Sequence, residues 1–415
     1  MPDNGQGRGE TALGVIVEVE LCSEGVLAPE VGGDELVYVL LRWKGRPVGR
    51  LILEGDRLPG ESSLRRMALE AAAPGILMVE IEKAPGGSVL AALGGSAESA
   101  GKRHPQSADV SVIIATRDRP EDLSDCLEAL RGLDPPPGEI VVVDSASGEA
   151  AGAATVAGRW NARLIRLEQP GLSRARNAGA LAATGRILAF LDDDCRVDPG
   201  WLLDLCAGFT DDGVEVVTGQ LLPREIETEA QRLFLRYSHM DLRGFIPRRY
   251  ERGVSPSPHW PIDAWRMGSG GNLAVRADVL RRLGGFRLSL GLGTPARGGE
   301  DLFLLWSIVR GGGAVVYRPG AMAWHRHHRT EEALRRVLFG YGAGHAAYLR
   351  AIRAAGAARR PVALYRLSFY ADRLSRWARS IAGLSPVPAS LVLREVAGSL
   401  AGGRLGRKAE WQAAR

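Results

Sequence analysis

The stretch RILAFLDDDCRVDP, residues 186–199, decides the fold of this chain. Its uninterrupted apolar run, Ile187 to Leu191, is typical of a strand that is buried on both faces of a parallel sheet. Three consecutive carboxylates follow directly, Asp192, Asp193 and Asp194. Because open α/β sheets bind ligands at the carboxyl ends of their strands, the stretch predicts a binding site at that point.

Three adjacent carboxylates repel one another unless a cation shares them. Hard divalent ions such as Mg²⁺ and Mn²⁺ take carboxylate oxygens as ligands and often keep substrate phosphates as further ligands. The triplet therefore predicts a metal-assisted site for a phosphate-bearing substrate. The alternative is an acidic turn that caps the following helix, and the triplet alone leaves that alternative open.

The length and composition indicate a globular protein of two or three domains. The chain has 415 residues, of which 45% are hydrophobic and 24% charged, with a formal net charge of +5. A mild positive charge suits an anionic substrate or an anionic membrane surface. The chain has no recognised nucleic-acid-binding module, so we expect no nucleic-acid partner.

The cysteines and the N-terminus predict a cytoplasmic location. Cys22, Cys126, Cys195 and Cys206 show no CxxC or zinc-type spacing and do not suggest a disulfide framework. The first residues lack a signal-peptide pattern, and no window has the ~18 apolar residues that a membrane span requires. We expect at most peripheral contact with the inner face of a membrane.

Residues 1–93 are predicted to form a small β-rich accessory domain. Residues 13–21 alternate apolar and polar side chains, residues 37–53 contain two strand-like runs around a KGRP turn, and residues 62–73 have the pattern of one short helix. Residues 94–108 are small and polar, which is typical of a linker.

Residues 109–330 alternate strand and helix patterns, which predicts parallel βαβ units and a mostly parallel sheet flanked by helices. Strand-like runs cover residues 110–116, 139–144, 163–168 and 187–191, with helical spacing at 120–133 and 173–183. Polar groups end three of the strands. Because parallel strands share a direction, these groups should lie along one edge of the sheet.

Five motifs in this region resemble, in order, those of the family-two glycosyltransferases: VSVIIATRDRPEDLSDCLEAL, EIVVVDSAS, GLSRARNAGALAATGRILAFLDDD, GSGGNLAVRADVLRRLGGF and GGEDLFLLWSIVRGG. The resemblance covers roughly residues 110–328. It implies a GT-A type nucleotide-diphospho-sugar transferase fold and inverting transfer of a sugar to an acceptor hydroxyl on a glycan, a lipid-linked molecule or a small molecule. It also implies a Mn²⁺ or Mg²⁺ cofactor and a role in cell-envelope or secondary-metabolite glycosylation.

The resemblance implies that the donor nucleoside binds around the ends of the first two strands. Asp144 ends a buried strand, so its carboxylate should have a partner, and a helix cap is the alternative role. Arg174 and Arg176 lie near a helix N-terminus, where they suit an anionic diphosphate or a base carbonyl; the alternative is that one of them pairs with an acid on the surface. The candidate donor-binding residues are Thr116, Arg117, Asp118, Asp144, Arg174, Arg176, Asp192 and Asp193.

The triplet corresponds to the DXD motif of the family. The resemblance implies that Asp194 ligates the metal directly, while Asp192 points toward the donor ribose or a metal-bound water. In an alternating pattern Asp193 points away from both. His325 aligns with the histidine that family members place after the following strand, and imidazole is a suitable Mn²⁺ ligand.

Two later motifs are expected on the acceptor side. The backbone of Gly270 and Gly271 is predicted to approach a sugar closely, and Asn272 is the candidate side chain beside it. Inverting transfer requires a carboxylate that removes the proton of the acceptor hydroxyl. The resemblance assigns this base to the ED pair, with Asp301 as the first choice and Glu300 as the second; both also suit a helix N-terminus.

Residues 331–415 have amphipathic and arginine-rich patterns that predict a helical C-terminal extension. Three roles stay open for this extension: it packs on the preceding domain, it covers the acceptor site, or it contacts anionic lipid through its basic face. Two functional alternatives stay open. A sugar-phosphate nucleotidyltransferase expects a glycine-rich phosphate loop after the first strand, which ATRDRPEDL is not. A catalytically silent protein that binds carbohydrate or nucleotide-sugar has no reason to keep clustered carboxylates.

Overall fold

A three-stranded sheet begins the fold. In the computed structural model, which describes residues 13–22, 35–55, 58–83, 105–148, 150–238, 243–254 and 256–414, strand β1 (Gly14–Glu20) pairs in parallel with β2 (Leu36–Trp43). Strand β2 pairs antiparallel with β3 (Arg46–Glu54) through a turn in which Lys44 and Gly45 have φ of 52° and 77°. The predicted hairpin is confirmed.

Helix α1 (Glu61–Lys83) covers one face of this sheet and is longer than the predicted 62–73. Pro74 lies inside it, although proline removes a helical hydrogen bond. Gly75 packs directly on the sheet, since a Cβ there would lie 2.3 Å from the Val48 carbonyl oxygen. Packing of the helix on the strand continues past the proline, so the predicted end of the helix was wrong.

The other face of the small sheet packs on the larger part of the protein. Leu36, Tyr38 and Leu40 are fully buried in one cluster with Leu222 and Met322. The N-terminal sheet therefore shares apolar contacts with the region that follows. The predicted boundaries at 93 and 108 stay predictions, and most of the predicted linker lies outside the described residues.

The larger part of the protein is built on a central sheet, which contains nine strands within the described ranges. They are β4 (Val110–Thr116), β5 (Glu139–Ser145), β6 (Arg163–Leu167), β7 (Ile187–Asp192), β8 (Cys195–Val197), β9 (Val214–Pro223), β10 (Arg248–Tyr250), β11 (Asn272–Arg276) and β12 (Ala314–His325). Their order is β10-β12-β9-β11-β7-β4-β5-β6, with β8 beside β12. Only β8, β10 and β11 run against the other six, which confirms the mostly parallel sheet.

Helices cover both faces of this sheet. They are α2 (Pro120–Arg131), α3 (Ala150–Arg159), α4 (Leu172–Ala182), α5 (Trp201–Ala207), α6 (Glu229–Tyr237), α7 (Ala277–Arg282) and α8 (Glu300–Gly311). One apolar core joins the sheet to α2, α3 and α5, and a second joins it to α4, α7 and α8. The fold class predicted from the sequence, an α/β sheet flanked by helices, is confirmed.

Three long helices end the chain, as predicted: α9 (Glu331–Ala354), α10 (Arg359–Ile381) and α11 (Ala389–Ala413). Helices α9 and α11 pack backbone to backbone, because a Cβ at Gly342 would lie 1.9 Å from the Glu395 carbonyl oxygen and one at Gly398 would lie 2.0 Å from that of Phe339. Among the helices of the described chain, none is long and apolar enough to cross a membrane.

A network of four charged side chains joins the N-terminal sheet and α1 to the central sheet. Arg318 contacts Glu82 at 2.6 Å and Asp204 at 2.6 Å, while Arg46 contacts the same two carboxylates at 2.6 and 2.8 Å. The Arg318 side chain is only 11% exposed. Each acid is therefore shared between two arginines, and removing one cation leaves a largely buried network with excess negative charge.

We expect Arg318→Met to lower the free energy of unfolding by about 3 kcal/mol, because breaking a buried pair leaves desolvated carboxylates. Urea denaturation followed by circular dichroism measures this change. Arg335→Met is the matched control, since it removes an exposed pair with Glu331 and should cost below about 0.5 kcal/mol. Equal effects of the two substitutions would contradict the structural role of the network.

His345 lies in the contact between α9 and α10. Its ring stacks on Phe369 at 4.5 Å and meets the Tyr365 ring at 5.4 Å. Both ring nitrogens are sealed from solvent and have no hydrogen-bond partner among the described residues. Burial, with the positive charge of Arg373 nearby, lowers the pKa of His345 to about 3.

We expect this histidine to make the protein less stable in mild acid. Below its ordinary pKa the unfolded chain binds a proton that the folded protein excludes, so stability falls as pH drops from about 6.5 toward 3. Between pH 7 and 5 the loss should be about 2 kcal/mol. His345→Leu should remove this part of the pH dependence in urea titrations at the two pH values. A variant that keeps the full acid loss would rule out the assignment.

Candidate functional site

The carboxyl ends of β4, β5 and β7 lie side by side, as the sequence predicts. In the sheet register Thr116 is opposite Asp144, and Ala115 is opposite Asp192. The polar groups that follow these strands therefore meet at one edge of the sheet. The ED pair reaches the same edge because Glu300 and Asp301 begin α8.

Arg176 joins three segments of this edge. Its side chain is 4% exposed, and one nitrogen donates to Glu300 at 2.9 Å while the other donates to Asp192 at 3.0 Å and to the Gly270 carbonyl oxygen at 2.9 Å. The guanidinium also lies 5.4 Å from the centre of the Phe286 ring. The planar guanidinium group suits this use, because its donors point in fixed directions. Arg176, which was predicted to bind the donor diphosphate, is therefore occupied by contacts within the protein.

Asp193 contacts the end of β4. It is 5% exposed and accepts a hydrogen bond from the Thr116 hydroxyl at 2.8 Å. Arg119 contacts Asp193 at 3.3 Å and Asp194 at 3.0 Å. Burial, with the neighbouring charge of Asp194, raises the pKa of Asp193 to about 7. We did not predict a role for Arg119, which lies between Asp118 and the start of α2.

Asp192, Asp194 and His325 form a group that could hold a metal ion. Each offers one ligand atom, and these atoms lie within 4.8 Å of one another. His325 Nε2 is 3.3 Å from Asp194 Oδ1, which is buried and has no hydrogen-bond partner among the described residues. His327 contacts the other ring nitrogen of His325 at 2.8 Å and so orients the imidazole. Carboxylate and imidazole ligands with an unpaired buried oxygen fit Mn²⁺ or Mg²⁺.

Asp144 has the partners that a buried carboxylate requires. It is 1% exposed, accepts from the Ser147 backbone N–H at 2.9 Å and pairs with Arg166 at 2.9 Å. The Ser147 hydroxyl accepts from the backbone N–H of Asp118, whose side chain accepts from the Gly148 N–H at 2.7 Å. Asp144 and Asp118 thus organise two adjoining loops. Arg166, on β6, was not anticipated from the sequence.

The structure separates two of the predicted donor-binding arginines from the buried acids. Arg117 is about half exposed and lies 3.4 Å from Asp118, at the rim of the site. Arg174 is exposed on α4, and no contact within the described ranges joins it to the carboxylates of the site. Its direction follows from the helix, since Arg174 and Arg176 are 200° apart around the axis at 100° per residue.

Gly270 and Gly271 make their close approaches to acidic residues of the site. A Cβ at Gly271 would lie 2.4 Å from Asp192 Oδ2, and one at Gly270 would lie 2.9 Å from the Asp301 Cβ. The Gly270 backbone N–H also donates to Asp301 Oδ2 at 2.8 Å. These glycines therefore let the loop pack against Asp192 and Asp301, a constraint that we did not predict.

The two acids of the ED pair have different surroundings. Glu300 is 5% exposed and bound to Arg176, and burial together with the adjacent charge of Asp301 raises its pKa to about 7. Asp301 is partly exposed, with its carboxylate held by the Gly270 and Leu302 backbone N–H groups. Asp301 is the acid of the pair that a ligand can reach.

Asn272 is a correction to the acceptor-side prediction. It is fully buried and crosses the sheet: its amide nitrogen donates to the carbonyl oxygens of Gln220 and Ala321 at 2.9 and 2.8 Å, and its oxygen accepts from the Trp201 indole at 2.9 Å. A side chain in this position has no exposed group to offer an acceptor. The motif gave no sign of this, because Asn272 looks like part of the glycine loop until β11 is placed between β7 and β9.

We expect Asn272→Ala to lower the free energy of unfolding by about 3 kcal/mol, since it leaves three buried polar partners unpaired and opens a small cavity. Urea denaturation measures the change. Glutamine is not a rescue, because its extra methylene does not fit a fully buried site. An Asn272→Ala protein with unchanged stability would show that the side chain is not a structural bridge.

Part of this chain is similar in sequence to known glycosyltransferases. The sequence model of the glycosyl transferase family 2 matches residues 111–284. The pre-mycofactocin glycosyltransferase of Mycobacterium tuberculosis is 28% identical over 292 residues, which are 68% of this chain and 57% of that protein. Glycosyltransferase AglE of Haloferax volcanii is 30% identical over 185 residues, which are 43% of this chain and 55% of that protein. The chain thus spans little more than half the length of these curated relatives.

Among solved structures, a mannosyltransferase from Pyrobaculum calidifontis in complex with GDP-Man and Mn²⁺ aligns with 79% of this chain and 98% of its own, at 19% identity and a TM-score of 0.44. The match of the family model covers β4 to α7 and includes the acidic triplet. Residues 111–284 of this chain are therefore similar to the family 2 glycosyltransferases.

Proposed function

We propose that this protein is an inverting glycosyltransferase that moves a sugar from a nucleotide-diphospho-sugar to an acceptor hydroxyl with the help of Mn²⁺ or Mg²⁺. The observation that carries the proposal is the meeting of a potential metal-binding group, Asp192, Asp194 and His325, with the accessible carboxylate of Asp301 at one sheet edge. Arg176 links the two parts, because it contacts both Asp192 and the neighbour of Asp301.

The donor nucleoside is proposed to bind where the loops after β4 and β5 adjoin. These loops are tied together by the Asp118 and Asp144 hydrogen bonds to Ser147 and Gly148. Arg117, at the rim, is the cation there that is most open to solvent. Asp193 contacts Thr116 and Arg119 and so supports the loop after β4. Its role in this proposal is structural.

The metal would be held by Asp194 and His325, with Asp192 beside them, and would stabilise negative charge on the departing nucleoside diphosphate. Asp301 is proposed as the base that takes the proton of the acceptor hydroxyl while the hydroxyl attacks the anomeric carbon. Its Oδ2 accepts from the Gly270 N–H, which fixes the carboxylate in direction. Glu300 is less suited as the base, because its carboxylate is paired with Arg176 and its side chain is buried.

A cytoplasmic location belongs to this proposal. All four cysteines are free, and three of them are buried, so the described structure has no disulfide that an oxidising compartment would be needed to form.

The metal assignment is tested by Asp194→Asn. We expect Mn²⁺ to raise the melting temperature of the wild type and to leave that of the variant unchanged, because a ligand that binds the folded state stabilises it. Release of nucleoside diphosphate from a panel of UDP- and GDP-sugars should fall by at least about 100-fold. Asp278→Asn, which changes an exposed acid of α7, is the control and should keep both properties. Metal-independent turnover by the wild type would contradict the assignment.

The base assignment is tested by Asp301→Asn. We expect this variant to keep its Mn²⁺ thermal shift and to lose about 10³-fold in transfer rate, since general base catalysis is removed while the metal group is intact. Glu300→Gln should chiefly reduce stability, because it weakens the buried contact with Arg176. If Glu300→Gln abolishes transfer in a folded protein and Asp301→Asn does not, the two roles are reversed. A wild type that binds a nucleotide-sugar without turnover would indicate a silent binding protein.

A further inference from the structure

Helix α10 carries an apolar stripe on the side that faces away from the protein. The core-facing side of the helix contains the buried residues Val362, Tyr365 and Arg373. The opposite side presents four large aliphatic side chains, each at least half exposed: Leu364 (50%), Leu367 (66%), Leu374 (63%) and Ile381 (65%). At 100° per residue these four lie within an arc of about 100°, opposite the buried residues. We name them the outer stripe of α10.

Basic side chains flank the outer stripe. Arg360, Arg366 and Arg379 are exposed on the same helix, and none of the three forms an ion pair within the part of the chain that the structure describes. The three acids of α10 and α11 all contact arginines: Asp372 contacts Arg373 and Arg376, Glu395 contacts Arg373, and Glu410 contacts Arg350. The exposed charge around the stripe is therefore positive.

The positive charge of the whole chain is concentrated here. Residues 359–413 contain ten arginines and lysines and three acids, a net charge of +7, whereas the complete chain has a net charge of +5. All the remaining residues together are thus slightly negative. The net positive charge of α10 and α11 attracts an anionic surface toward that side of the molecule.

Helix α11 extends the same kind of surface. It lies against α10, since Arg373 pairs with Glu395 and the Tyr370 hydroxyl contacts the Ser399 hydroxyl at 3.1 Å. Its exposed residues again combine large apolar side chains with cations: Leu393 (52%), Leu400 (71%) and Trp411 (56%), together with Arg404, Arg407 and Lys408. Leu384, in the turn between the helices, is 69% exposed.

We propose that the outer stripe of α10 rests on an anionic membrane surface, with the flanking arginines at the level of the lipid phosphates. A helix that lies in the interface combines an apolar stripe with basic side chains in this way. A nucleic acid would satisfy the arginines and leave the leucines in water. A second copy of the chain would cover the leucines and bring two surfaces of like charge together. An anionic lipid surface is complementary to both features at once.

Sedimentation with vesicles tests this surface in the full-length protein. We expect binding to vesicles of phosphatidylcholine with phosphatidylglycerol, weak binding to phosphatidylcholine alone, and weakening by salt. The double variant Leu367→Glu/Leu374→Glu should bind at least about tenfold more weakly, because it removes two apolar groups and adds two anions. The matched control is Leu77→Glu/Leu181→Glu, which places the same two charges at exposed leucines of α1 and α4 (60% and 89% exposed). The binding of this control to the vesicles should weaken only by the effect of the added charge, about twofold.

A second variant tests the charges without touching the stripe. Arg360→Gln/Arg379→Gln should reduce binding by roughly fivefold per arginine and should flatten the salt dependence. Melting curves check that each variant is folded. The proposal is overturned if the wild type does not bind anionic vesicles, or if the stripe variant binds as well as its control. It is also overturned if the wild type is a dimer in gel filtration that the stripe variant converts to a monomer, since the stripe is then an interface between copies.

Discussion

The site depends on one buried arginine. Arg176 forms ion pairs with Asp192 and Glu300 and also donates to the Gly270 carbonyl oxygen. Those three partners belong to the end of β7, the start of α8 and the loop before β11. A buried carboxylate without a cation is costly, so the arginine fixes the spacing of the three segments as well as their charge. The position of Asp301 follows from this, since it is the neighbour of Glu300 and is hydrogen-bonded to Gly270.

A second constraint acts on the segment just after the acidic triplet. Asp198 pairs with Arg42 of β2, and Asp204 pairs with Arg46 of β3. The small N-terminal sheet thus contacts both the segment that follows the triplet and the helix α5. Its apolar face is buried at the same time against β9 and β12 through Leu222 and Met322. The N-terminal strands therefore support the strand that carries His325, although they contribute no side chain to the metal group.

The outlines of the fold and of the site could be predicted because they depend on local sequence. A buried parallel strand is an apolar run, and its end is marked by polar residues, so β4, β5 and β7 and the edge they share were predicted correctly. Individual side-chain roles were harder. Arg176 and Arg174 are two residues apart on one helix, and only the packing of α4 turns the first inward and leaves the second in water. Asn272 and Gly271 are adjacent, yet one bridges the sheet and the other packs on Asp192.

The sequence by itself determined the order of strands and helices, the resemblance to the family 2 glycosyltransferases and the group of acids at one edge, because hydrophobic periodicity and motif order are properties of neighbouring residues. Only the tertiary structure decided which polar groups have hydrogen-bond partners within the protein and which are available to a ligand. Asp144, Asp193, Glu300 and Asn272 are engaged with partners far along the chain, whereas Asp194 keeps an unpaired buried oxygen and Asp301 is accessible. Hydrogen-bond satisfaction depends on distance in space, and residues 77 and 124 positions apart become neighbours only when the sheet and its helices pack.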